Sequence, residues 1–196
     1  MIYQYRLPIS GLSINNHASY TNYRNVNLQF EVTGNSSIAS YLIEEIGSNG
    51  QVMKRSGWAD YFGAAGTPSI SYRLASGDGP RTLRLKLRDK DGYELRSVDS
   101  ATITLDTQRP AISLKGNATE SIMQSQAYTD AGATASDNID GNISSQIQVV
   151  NSFNINQLGT YTVTYNIVDR AGNNAPQVTR EVKVVDKNPA SDYIIK

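Results

Sequence analysis

The stretch SDNIDGNIS, Ser136 to Ser144, sets Asp137, Asn138, Asp140 and Asn142 within six positions. Carboxylate and amide oxygens at that density are hard ligands, of the kind calcium takes about 6–8 at a time. An EF-hand is excluded. With Asp137 at the first loop position, the twelfth is Gln148 rather than a bidentate glutamate, and no helical pattern flanks the loop. The same residues also suit a polar turn, with Asx-turns at Asp137 and Asn138 and a tight turn at Asp140-Gly141. Both readings stay open at this point.

Other chemistry is sparse. The 196 residues contain no cysteine, which removes disulfides, zinc–thiolate sites and thiol catalysis. The one histidine, His17 in NNHAS, reads as a surface-loop residue, and there is no Gly-x-Ser-x-Gly elbow. GDGPRT, at 77–82, lacks the third glycine of a phosphate loop and leads into a strand. Glu44 and Glu45 are adjacent on a strand, so they point to opposite faces and make no acid–base pair; surface ion pairing with the Arg84, Lys86, Arg88 stripe is expected instead. The reading is against an enzyme. A sugar-binding face is the chemical alternative: Trp58, Tyr61 and Phe62 stand together in SGWADYF, with Tyr3, Tyr5, Tyr20 and Tyr23 in the same half. The same aromatics equally suit core packing or a covered sheet edge.

The elements that must carry these residues are strands. In RTLRLKLRD, Leu83, Leu85 and Leu87 share one face and Arg84, Lys86 and Arg88 the other; in TYTVTYNIVD, Tyr161, Val163, Tyr165 and Ile167 align. Similar runs are NVNLQFEVT (25–33), SYLIEEI (40–46), QVMKRS (51–56), SISYRL (69–74), ATITLD (101–106), AISL (111–114), IQVVN (147–151) and REVKVVD (180–186). GSNG, SGDGP, DKDG and DRAGN punctuate them as turns. This pattern predicts an all-β fold of two antiparallel sandwiches, of about seven strands each. The first is expected over 1–106 and the second over 110–186, with a linker at 107–109 and a tail at 187–196; Pro110 suits a strand start. Leu85, Val163 and Tyr165 are expected in the cores. The two halves echo each other, since Asp89 to Asp106 and Asp169 to Asp186 have the same spacing, each spanning a strand end, a glycine turn and a closing strand.

Lys+Arg and Asp+Glu are both 18, and neither half is basic enough to read as a nucleic-acid binder. There is no apolar run of about 18 residues, so no membrane span is expected. Met1 leads into IYQYRLPIS, without a charged start or apolar signal core, so an export signal is expected outside these residues.

Residues 110–186 resemble the bacterial immunoglobulin-like family that also occurs beside a bacterial crystal toxin. The likeness is carried by PAISLKGNATESI, YTDAGATASDNIDGNIS, LGTYTVTYNIVDRAGNNA and REVKVVD. The first half resembles another extracellular bacterial Ig-like repeat through ISGLSINNHASYTNYRNVNLQFEV, GDGPRTLRLKLRDKDG and ATITLDTQRP. It departs from that repeat at Gly92-Tyr93, where Gly-Asn is usual, and in LIEEIGSNGQVMKRS. The resemblance implies a secreted or cell-surface location and a role as a non-catalytic spacer or adhesion segment. The implied partners are neighbouring Ig-like domains or other subunits of a surface assembly. A glycan-binding accessory of a secreted enzyme and a filament subunit donating its tail, SDYIIK, are the alternatives.

In such a sandwich SDNIDGNIS is the B–C loop and DRAGNN (169–174) the F–G loop, which cluster at one end, where the linker also enters. Asp106, Asp137, Asp140 and Asp169 are then expected to converge, with Asn138 and Asn173 adding oxygens, as calcium ligands. Tyr161, at the start of its strand, is either a tyrosine corner or an ordinary core tyrosine.

Overall fold

The computed structural model describes residues 9–32, 38–61, 68–95 and 97–187. Tyr3, Tyr5, Phe62 and the tail residues 188–196 lie outside them. The chain divides into two compact units, Met1–Thr107 and Gln108–Lys196.

The first unit contains β1 (Ile9–Ile14), β2 (Tyr20–Thr21), β3 (Asn25–Val32), β4 (Ile38–Gly47), β5 (Val52–Arg55), β6 (Ala59–Asp60), β7 (Ser69–Arg73), β8 (Gly79–Asp89), β9 (Val98–Asp99) and β10 (Ile103–Leu105). They form a β1-β3-β7 sheet and a β2-β10-β8-β4-β5 sheet, the latter with β6 on β4 and β9 on β8. The inner rows are those the alternation picks out. Leu83, Leu85 and Leu87 are fully buried against Leu28, Phe30, Leu74 and Ile103, while Arg84, Lys86 and Arg88 face outward, half-buried.

One expectation fails here. Glu44 and Glu45 do point to opposite faces, but neither lies at the surface. Arg81 continues the inward row of β8, and its guanidinium needs a buried counter-charge; Glu45, 0% exposed, supplies it with Arg81 Nε 2.9 Å away. Glu45 also accepts from the Ala75 N–H at 2.7 Å. On the other face Glu44 pairs with Arg55 Nε at 2.8 Å and Lys86 Nζ at 3.5 Å, and is 4% exposed at its side chain.

The second unit contains β11 (Ala111–Leu114), β12 (Thr119–Met123), β13 (Ala133–Asp137), β14 (Gly141–Asn142), a single 3₁₀ turn at Ser144–Gln146, β15 (Gln148–Asn151), β16 (Gly159–Asn166) and β17 (Val178–Val185). A β11-β13-β14 sheet packs on a β12-β17-β16-β15 sheet. Val163, Tyr165 and Val182 centre the core, and Ala135, Ile143 and Ile167 extend it. Not every pairing is antiparallel. β12 runs parallel to β17, and β2 parallel to β10, because in each unit an early strand joins the sheet beside the closing strand and runs in its direction. Among the described residues no helix is long and apolar enough to cross a membrane.

Tyr161 makes a corner. Its hydroxyl donates to the Gln157 carbonyl at 3.0 Å, and its ring stands edge-on to Phe153 at 5.3 Å. Arg180 is fully buried in the inward row of β17. It donates to the carbonyls of Asn117 (2.9 Å), Gly132 (3.3 Å) and Lys115 and pairs with Asp130, which also accepts from Tyr165 Oη at 2.5 Å. One guanidinium thus ties both connections flanking the first strands to the closing strand.

Candidate metal centre

Two loops build the acidic end of the second unit. The first begins where β13 stops. Asp137 turns the chain with its own side chain, Oδ1 accepting from the Ile139 N–H at 2.8 Å and the Asp140 N–H at 3.0 Å. Gly141, at φ +68°, takes the left-handed conformation that lets the chain return as β14. The polar-turn reading of SDNIDGNIS therefore holds locally, with the Asx geometry at Asp137.

The second loop follows β16. Asp169, 7% exposed, accepts from Asn173 twice, from the backbone N–H to Oδ1 at 2.7 Å and from Nδ2 to Oδ2 at 2.8 Å. Gly172 at φ +92° closes the turn by donating to the Asp169 carbonyl. The first unit repeats this hairpin at Asp89, whose Oδ1 accepts from the Asp91 and Tyr93 N–H groups, with Gly92 at φ +84°. Tyr93, 73% exposed, replaces the asparagine there, so the side-chain amide bond of the second unit has no counterpart.

Asp140 joins the two loops. Its Oδ2 accepts from the Arg170 backbone N–H at 2.8 Å, and its side chain is only 2% exposed. Arg170 Nε stands 3.8 Å from Oδ1, too far for a hydrogen bond. Carboxylate oxygens of Asp137 and Asp169 lie within 4.8 Å of each other. Asp137 Oδ2 and Asp140 Oδ1 are buried and have no hydrogen-bond partner among the described residues. Buried carboxylate oxygens without donors are costly, and two carboxylates so close repel unless a cation or a proton intervenes.

The structure thus brings Asp137, Asp140, Asp169 and Asn173 together. Asn138 sits exposed in the first turn, and Asn173 commits its amide nitrogen to Asp169. Asp106 belongs to the first unit, at the end of β10, 1% exposed, with its N–H donating to Thr21. His17 is exposed in the turn after β1.

Of the described aromatic candidates of the first unit, Trp58 and Tyr61 are engaged in packing, whereas Tyr23 is 72% exposed. The Arg88 guanidinium lies 3.8 Å from the Trp58 ring centroid, covering one face of a half-buried indole. Tyr61 packs on Phe30 at 6.3 Å. Sequence reasoning missed the Asp130–Arg180–Tyr165 cluster. Its signal was an arginine in phase with Val182 and Val184 on an apolar row.

Residues 112–184 match the family described as bacterial surface protein, Ig-like domain. No curated protein matches the chain. Among solved structures, a lipoprotein from Bacteroides thetaiotaomicron aligns at 26% identity over 42% of this chain and 40% of its own, with a TM-score of 0.37. The chain therefore spans about two fifths of that lipoprotein's length. The fibronectin(III)-like modules of Clostridium thermocellum CbhA align at 10% identity over 92% of this chain and 97% of theirs, with a TM-score of 0.41.

Proposed function

We propose, from the match of residues 112–184 to the bacterial surface Ig-like family, that the chain is a non-catalytic structural or adhesion module of a secreted or cell-surface protein. Its partners in this reading are neighbouring Ig-like domains or other subunits of a surface assembly. The family match over 112–184 is the observation that carries it. Antibody against the chain tests it: intact cells of the source bacterium, or its culture medium, should label. Signal that appears only after cell lysis contradicts it.

We also propose that the paired loops of the second unit hold calcium through Asp137, Asp140 and Asp169. The support is the pair of buried, donor-less oxygens Asp137 Oδ2 and Asp140 Oδ1 and the approach of Asp137 to Asp169. Calcium would supply positive charge to buried oxygens that accept no hydrogen bond among the described residues. Titration calorimetry with calcium should give heat that Asp137→Asn abolishes, and chelator should lower the melting temperature. Absence of both heat and shift returns the loops to polar turns.

A further inference from the structure

Among the described residues β15 is the outer strand of its sheet, and its outer edge carries no partner strand. A free edge offers alternate backbone N–H and C=O groups to any extended chain, so natural sheets blunt it with charge, proline, a bulge or extreme shortness. The other edges here are blunted in those ways. β5 carries Lys54 and Arg55, β7 carries Arg73 and β12 carries Glu120. β11 starts behind Pro110, β1 shifts register between Ser10 and Ser13, and β2 and β14 are two residues long. β15 has none of these devices. Residues 146–157, QIQVVNSFNINQ, include no charge and no proline, and the register of β15 against β16 runs unbroken from Gln148 to Asn151.

A second observation concerns the face rather than the edge. Val149 pairs with Tyr165, so it lies on the core side of the sheet, yet it is 51% exposed. Val150, on the outer side, is 62% exposed. The core-side face therefore runs one strand past its cover.

We propose that β15 pairs antiparallel with β15 of a second copy of this chain, about a two-fold axis through Val149. An axis normal to the sheet keeps core side with core side. It sets Val149 beside Val149 of the second copy and Gln148 beside Val150 of the second copy, so both exposed valines lose water. Charge decides for self-pairing: an uncharged strand meets its own copy without the like-charge repulsion that any of the Lys- or Arg-bearing edges would suffer. The area sets the strength. Three β15 residues a side bury on the order of a few hundred Å² at most, well short of the ~1,200 Å² of a stable interface, so the contact is weak in dilute solution and populated where copies are crowded. The pairing depends only on the edge strand and holds wherever the chain resides.

Sedimentation of the whole chain from about 10 μM to about 1 mM tests it, since a weak pairing is populated only near the top of that range. The weight-average mass should rise above 21.4 kDa toward twice that value. Val149→Lys and Val149→Glu should each stay monomeric, and their equimolar mixture should recover association, because opposite charges then face each other across the axis. Recovery on mixing cannot come from misfolded variants. A wild-type chain that stays monomeric throughout, a Val149→Lys chain that associates as wild type does, or a mixture that fails to recover overturns the proposal. So does association that is lost on removing residues 188–196 but survives Val149→Lys, which would assign the contact to the tail.

Discussion

Tyr165 occupies an unusual position for a phenol: fully buried, with its hydroxyl on Asp130, which also pairs with Arg180. Burial, and then the bond to Asp130, push its pKa well above the ordinary tyrosine value. The neutral form is thus favoured by folding. That contribution is complete below the unfolded phenol's pKa of about 10 and is lost as pH rises beyond it, because the unfolded chain then ionises while the folded one resists. Tyr165→Phe should therefore flatten the fall in stability above about pH 10, read by urea unfolding across that range. The slope should not vanish, because Tyr72 is also raised by burial and by Glu45. At neutral pH the variant should lose about 1.5–3 kcal/mol for a hydrogen bond to a charged acceptor. An unchanged alkaline slope would count against this account.

At the scale of elements, the long strands dominate stability. Leu85 stands at the middle of β8, 0% exposed, opposite Ile43 of β4. Leu85→Ala should cost about 2–5 kcal/mol, the sum of lost transfer energy and an unfilled cavity; a chemical denaturation midpoint unchanged by it would contradict the packing described. Strands of this kind were legible from residues alone, since alternation in β3, β8, β16 and β17 states which side faces in. β12 (TESIM) and β13 (ATASD) were not, because short edge positions and small side chains leave no apolar rhythm. Glu44 and Glu45 show the other limit. Two carboxylates on a strand look like surface residues until the pairing of β4 with β8 and β5 brings Arg81 to one and Arg55 and Lys86 to the other. The acidic loops were legible as a cluster. Which oxygens lack donors depends on turn geometry that residue types do not encode.

At the scale of the whole molecule, each unit anchors one buried arginine in an otherwise apolar row: Arg81 against Glu45, and Arg180 against Asp130. With no cysteine to cross-link either sandwich, these guanidinium clusters hold loops to strands where a disulfide might otherwise be sought. The parallel pairing of β12 with β17 adds a mechanical property. Tension entering before β12 and leaving after β17 drags the two strands lengthwise past one another, so the five paired positions from Thr119–Glu181 to Met123–Val185 are loaded together. An antiparallel pair pulled from its open end would instead peel one rung at a time. The second unit should therefore rupture in a single high-force event when stretched by its ends in a force microscope. Gln124→Pro, which deletes the 2.8 Å bond from Gln124 N–H to the Val185 carbonyl, should lower that force. Under such a pull the closing strand would act as a shear-loaded clasp.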